Sequence, residues 1–231
     1  MRTGAILLCA GRGDRLGAGV PKAFVRLAGR PLFAWSLAAL QRCANVDAIV
    51  VVGPVTTARG LLAASGASFE RIVAFVEGGA ERQHSVARGL AAMPAEHDLV
   101  AVHDAARALV SPGVVSRAVE AARRHGAAIA AVPLADTLKA VAGDRITATP
   151  LRAGLWCAQT PQVFRRDWLV AAHAAATDTA TDDAALVEAL GHDVRVAEGD
   201  SLNFKITTPA DLALAEAWLA HVAAGPTGGT P

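Results

Sequence analysis

Cysteine is scarce in this sequence and unpaired. Cys9, Cys43 and Cys157 are far apart and odd in number, and no CxxC spacing occurs. That excludes a zinc knuckle or a disulfide framework and points to reduced thiols in a cytoplasmic protein. Long apolar runs are missing too. None approaches the length of a membrane span, and the stretch over residues 5–10 is too short for the core of a secretion signal. A surplus of one charge is also absent: Lys plus Arg number 22 against 21 for Asp plus Glu, a formal net charge of +1. A protein that wraps nucleic acid normally shows a basic excess in its totals. These absences predict a soluble protein with no membrane or nucleic-acid partner, and leave room for a local basic site.

What is present suits an ordinary buried core. Of the 231 residues 53% are hydrophobic, enough for one large α/β domain, expected over residues 1–224. Continuous apolar runs at residues 5–10, 48–53, 72–76, 99–102 and 127–132 read as buried strands. Helical spacing occupies residues 31–43, 82–93 and 112–125. Such alternation is the pattern of a mostly parallel sheet covered by helices on both faces. Further on, a short strand is expected near Val163-Phe164, helices near 166–176 and 182–190, a strand near 193–197 and a last helix over 209–223. Thr208 reads as its N-cap and Pro209 as its first residue.

The alternation breaks over residues 133–155. Two short polar strands, 137–141 and 145–151, are expected about a turn at Gly143-Asp144. They hold too few large apolar residues to bury themselves, so this hairpin should project as an arm and rest on something else. Residues 225–231, rich in Gly, Pro and Thr, read as a disordered tail.

The loop Ala10-Gly11-Arg12-Gly13-Asp14-Arg15-Leu16-Gly17 leaves the first strand, where α/β sheets bind ligands, and its glycines let backbone N–H groups approach phosphate oxygens. It is not a dinucleotide fingerprint, because Leu16 stands where the third glycine belongs. It is not a P-loop either, because Lys22 follows Pro21. No acid occurs from Arg15 to Val46, whereas Arg15, Lys22, Arg26, Arg30 and Arg42 do. Arg15 and Lys22 would suit a triphosphate, with Pro21 aiming Lys22. Asp104 ends an apolar strand on the same sheet edge, and a lone carboxylate there suits Mg2+. Arg107, three residues on, could grip a second phosphate. His103 is expected to be structural, since an ionised phosphate needs no base. Lys205, in a strand-like segment before the last helix, is expected to project inward. His173, His192 and His221 lack metal-ligand spacing and read as surface residues.

The opening loop with Pro21-Lys22 resembles the signature of sugar-nucleotide-type nucleotidyltransferases. Gly78-Gly79-Ala80-Glu81-Arg82-Gln83-His84-Ser85-Val86, His103-Asp104-Ala105-Ala106-Arg107, Asp136-Thr137-Leu138-Lys139, Arg152-Ala153-Gly154-Leu155-Trp156, Thr160-Pro161-Gln162, Thr181-Asp182-Asp183 and Asn203-Phe204-Lys205-Ile206-Thr207 narrow the resemblance to the 2-C-methyl-D-erythritol 4-phosphate cytidylyltransferase family. The match is collinear from Ala5 to about Leu219. It implies a Rossmann-like α/β fold of the nucleotide-diphospho-sugar transferase type, and CMP transfer from CTP to a polyol phosphate with Mg2+. By the same resemblance Ala10, Gly11, Gly13 and the segment from Gly79 to Ser85 hold the nucleotide. Arg15 and Lys22 bind the triphosphate and stabilise the transition state, and Asp104 binds the metal. Arg107, Thr137, Arg152, Thr160 and Lys205 handle the polyol phosphate, with Arg152 and Lys205 also catalytic. The arm is expected to exchange between the subunits of a homodimer, so that Thr137 and Arg152 serve the partner's site. Two other readings stand beside this one. One is a cytidylyltransferase for another polyol phosphate such as ribitol 5-phosphate. The other is a catalytically silent regulatory module, which would require loss of Arg15, Lys22, Asp104 or Lys205; all four are present.

Overall fold

Uninterrupted apolar runs become strands covered on both sides. In the computed structural model, which describes residues 1–11, 20–178 and 180–224, β1 (Thr3–Leu8), β4 (Ala48–Val52) and β6 (Leu99–Asp104) are buried at every position. Alternate side chains serve opposite faces, as the pleat requires. Ala5 and Leu7 of β1 and Val51 of β4 pack with α1 (Leu32–Arg42) and α4 (Pro112–His125). Ile6, Leu8 and Val50 pack with α3 (Arg82–Ala92), α5 (Arg166–Ala175) and α6 (Asp183–Ala189) on the other face. A third cluster joins α7 (Pro209–Ala224), through Ala215, to Leu27, Ala108 and Ile206.

With β5 (Ile72–Val76), β7 (Ala127–Pro133), β10 (Trp156–Arg165) and β11 (Arg195–Glu198), the seven-stranded sheet has the order β11-β7-β10-β6-β1-β4-β5. β10 pairs antiparallel with both β6 and β7, and the remaining pairs are parallel. The chain runs outward from β1 through β4 to β5 and then returns to the other side of β1 as β6. This reversal makes a switch point between β1 and β6, with a crevice beyond their carboxyl ends.

The structure departs from the sequence reading at several elements. α2 (Val55–Ser65) was not expected; it buries only Ala58 and Leu62, too thin a stripe to signal itself. The short strand expected near Val163-Phe164 is ten residues long. Its polar half hid it, because Gln159, Thr160 and Gln162 interrupt the apolar pattern and its pairing with β7 shifts between Ala158 and Gln162. Residues 203–206 are irregular rather than strand. A two-residue ribbon, β2 (Arg26–Leu27) with β3 (Arg30–Pro31), also escaped notice.

The hairpin is present as β8 (Ala140–Ala142) and β9 (Arg145–Ala148), shorter than expected, about the anticipated turn with Gly143 at φ 64°. It forms a separate two-stranded sheet, and every residue from 135 to 158 is exposed. The expected tail lies outside the described residues.

Candidate active site

Two adjoining depressions open beyond the carboxyl ends of β1, β5 and β6. The first, of about 230 Å³, is lined by Ala10, Gly11, Pro21, Pro54, Glu77, Gly78 and Gly79. Close approach of backbones builds it. A Cβ on Gly78 would lie 2.5 Å from that of Ala10, so only glycine lets the two loops meet. The buried Ser85 hydroxyl accepts from the Gly79 N–H at 3.0 Å and donates to the Glu81 carbonyl at 3.1 Å. Ser85 therefore shapes the glycine loop through its backbone. Lys22 opens a single 3-10 turn after Pro21, anchored by buried Ala23 and Phe24, and is itself half-buried. Gly13 and Arg15 lie outside the described residues.

The second depression, of about 300 Å³, includes Arg82, Asp104, Arg107, Thr160 and Lys205 in its lining. Asp104 reaches it because β6 runs in register with β1, pairing Asp104 with Leu8. Its Oδ2 accepts from Lys205 Nζ at 2.7 Å and its Oδ1 from Arg82 Nε at 3.3 Å. Burial alone would favour the neutral carboxyl. Arg82 and Lys205, with Arg107 beyond them, outweigh it and hold the Asp104 pKa far below the ordinary carboxylate value.

Lys205 is delivered there by its neighbours. Asn203, fully buried, donates to the Thr160 carbonyl at 2.8 Å and to Gln159 Oε1 at 3.0 Å, and Ile206 N–H bonds the Ala106 carbonyl at 2.9 Å. Arg107 donates to the carbonyls of Asn203 and Ala158, at 2.8 and 3.2 Å, tying this segment to β10. The Thr160 hydroxyl accepts from the Asp104 N–H at 3.1 Å and lies 2.9 Å from His103 Nδ1. His103 is fully buried, and desolvation pulls its pKa down to about 4, so it is neutral near pH 7. His103 lines neither depression, in keeping with the structural role expected of it.

The fold thus brings together Asp104, Arg107, Thr160 and Lys205, with Ala10, Gly11, Gly79 and Ser85 beside them. It does not bring in Thr137 or Arg152. Both are exposed on the arm and line neither depression, and Arg152 Nη1 donates to the Ala135 carbonyl. Sequence reasoning placed Arg82 only within the nucleotide segment from Gly79 to Ser85, with no link to Asp104, and gave Asp183 no role, although both lie in the quoted motifs. Asp182 caps α6 by accepting from Ala185 N–H at 3.0 Å, whereas Asp183 turns inward to Arg82 Nη1 at 2.7 Å. Adjacent acids give no sign of which one caps. His173 is corrected: its side chain is 6% exposed and lies 3.0 Å from Asp183, because the apolar face of α5 carries it inward. His192 is half-buried and stacks on Trp168.

Among the described residues no group of three or more His, Cys, Asp or Glu could hold a metal unaided. Asp104, whose two oxygens meet Lys205 and Arg82, would give Mg2+ one carboxylate ligand, the ion keeping most of its waters and taking further oxygens from phosphates.

The chain matches the family model described as 2-C-methyl-D-erythritol 4-phosphate cytidylyltransferase over residues 3–221. It is 47% identical over 222 residues to the protein of that name from Frankia casuarinae, covering 95% of this chain and 82% of the relative. It is 42% identical over 222 residues to that from Desulforamulus reducens, with 93% and 94% covered. The crystal structure of the Thermus thermophilus enzyme of this name superposes with a TM-score of 0.78 at 40% identity, covering 96% of this chain and all of that one.

Proposed function

The chain belongs to the 2-C-methyl-D-erythritol 4-phosphate cytidylyltransferase family, and on that premise we propose that its chemistry takes place in the cleft around Asp104 and Lys205. The reaction transfers CMP from CTP to 2-C-methyl-D-erythritol 4-phosphate in isoprenoid biosynthesis, giving 4-diphosphocytidyl-2-C-methyl-D-erythritol and pyrophosphate. The observation that carries the placement is the Arg82–Asp104–Lys205 cluster at the switch point, beside a depression built from Ala10, Gly11, Gly78 and Gly79.

The mechanism follows from charge. An oxygen of the polyol phosphate attacks the α-phosphorus of CTP, that P–O bond forms, and the bond to the β-phosphate oxygen breaks as pyrophosphate leaves. The attacking phosphate is already ionised, so no side chain has to take a proton, which agrees with a His103 that is fully buried against Thr160 and outside the lining of the cleft. Catalysis then consists of positioning and of neutralising charge. Lys205 and Arg107 draw the anionic acceptor toward the cleft, and Lys22 with Arg15 receives the triphosphate. Ala10, Gly11, Gly13 and the Gly79–Ser85 loop seat the nucleoside end. Asp104 would hold Mg2+, whose part is to offset negative charge on the phosphates.

The arm reading belongs to the same proposal. Val141 and Ile146 are exposed on a hairpin that is marginal alone, and Leu151 and Trp156 are exposed where the chain returns from it to the sheet. A second copy covering it would form a homodimer in which Thr137 and Arg152 complete the partner's cleft. Free thiols at Cys9, Cys43 and Cys157 support a cytoplasmic setting. No helix among the described residues is long and apolar enough to cross a membrane. A panel tests the acceptor: CTP, Mg2+ and either methylerythritol 4-phosphate or ribitol 5-phosphate, following pyrophosphate. Methylerythritol phosphate is expected to be turned over preferentially; faster turnover of ribitol phosphate would move the assignment to that acceptor.

A further inference from the structure

Behind Arg82 stands a second carboxylate that lies outside the cleft. Asp183, in the first turn of α6, has a side chain only 1% exposed; its Oδ2 accepts from Arg82 Nη1 at 2.7 Å and its Oδ1 lies 3.0 Å from His173 Nε2. Its backbone is fixed too. The N–H groups of Asp183 and Ala184 both donate to Gln162 Oε1, at 3.1 and 3.2 Å, while Gln162 Nε2 donates to Asp182 at 2.8 Å. One guanidinium therefore bridges a rigid inner carboxylate and the carboxylate of the cleft, where Arg82 Nε meets Asp104 at 3.3 Å.

A carboxylate buried this completely is costly unless paired. Capping does not require it, because Asp182 already caps α6. What Asp183 does is hold a plane. A guanidinium presents its five N–H donors in a fixed fork, so anchoring Nη1 sets where Nε points. We propose that Asp183, seated by His173, is a positioning residue for the transfer: it orients Arg82 against Asp104 and so fixes Asp104 opposite Lys205. The inference rests on the cleft being the site of the transfer.

The test uses the full chain with CTP, methylerythritol 4-phosphate and Mg2+, at a temperature where each variant is shown to be folded. Asp183→Asn keeps the shape but not the charge. It is expected to lower kcat by roughly 10–100-fold, the range typical of outer-shell orienting groups, with KM for CTP little changed. Arg82→Lys, whose point charge cannot hold two carboxylates in one plane, should show the same split. The double variant should be no slower than the slower single, because both act through one contact. His173→Gln, which keeps a donor for Asp183, should lose less than His173→Leu. Wild-type kcat in folded Asp183→Asn, or single losses that multiply in the double, would overturn the inference. If Asp183→Asn does not fold, His173→Leu, Arg82→Lys and their double decide by the same rule. Asp104→Asn separates the two levels. Full turnover in that variant overturns the cleft assignment, whereas its inactivity beside wild-type kcat in Asp183→Asn overturns only the role of Asp183.

Discussion

At the scale of single residues, the cleft is a balance of charge against burial, and pH shifts that balance. His103 has a folded pKa of about 4 against about 6.5 when unfolded. Between those values the unfolded chain binds the extra proton, so its contribution to stability is present above pH 6.5 and is lost as pH falls toward 4. Chemical denaturation across this window should show stability falling on acidification, with up to about 1.4 kcal/mol per pH unit from this group. His103→Gln should flatten that slope; an unchanged slope would mean that His103 is not held neutral. Residue identity was legible at Asp104 and Lys205, where a carboxylate after an apolar strand and a cation near the last helix were singled out. The Arg82–Asp183 contact was not, because it joins residues 101 apart and no local pattern records which acid of an adjacent pair turns inward.

At the scale of elements, the nucleotide depression depends on two loops meeting at Gly78 and Ala10. Gly78→Ala would drive a Cβ to 2.5 Å from that of Ala10, and overpacking of this kind costs about 1–3 kcal/mol. The expected result is a lower melting temperature together with a raised KM for CTP; unchanged values of both would show that the loops can part freely. Elements with strong local chemistry were read correctly. Ser111 caps α4 before Pro112, and Thr208 Oγ1 accepts from the Asp211 N–H at 3.2 Å while Asp211 accepts from the backbone N–H groups of Thr207 and Thr208. α2 and the polar half of β10 were missed because tertiary packing, and not periodicity, holds them. Gln159 and Gln162 interrupt an apolar strand and bond the segment before Lys205 and the first turn of α6 that carries Asp183, while the Thr160 hydroxyl bonds the end of β6 at Asp104 and His103.

At the scale of the whole molecule, the sheet order explains why residues from distant parts of the chain share one crevice, and the arm explains why Thr137 and Arg152 do not. If the arm completes a neighbour's cleft across a two-fold axis, inactive Arg152→Ala and inactive Lys22→Ala subunits should complement each other when co-expressed, since each hybrid dimer holds one intact site. Verified hybrids that stay inactive would return Arg152 to its own subunit. The claim on which everything else depends is that cytidylyl transfer takes place in the Asp104–Lys205 cleft. Pyrophosphate release from CTP and methylerythritol 4-phosphate, measured side by side for the wild type and Lys205→Ala with and without chelator, tests it most directly. Metal-dependent release by the wild type is expected and, with melting temperature little changed, a loss of roughly 10²–10³ in rate for the variant, the usual cost of removing one preorganised donor. Near-wild-type release by Lys205→Ala, or full release in excess chelator, would contradict it.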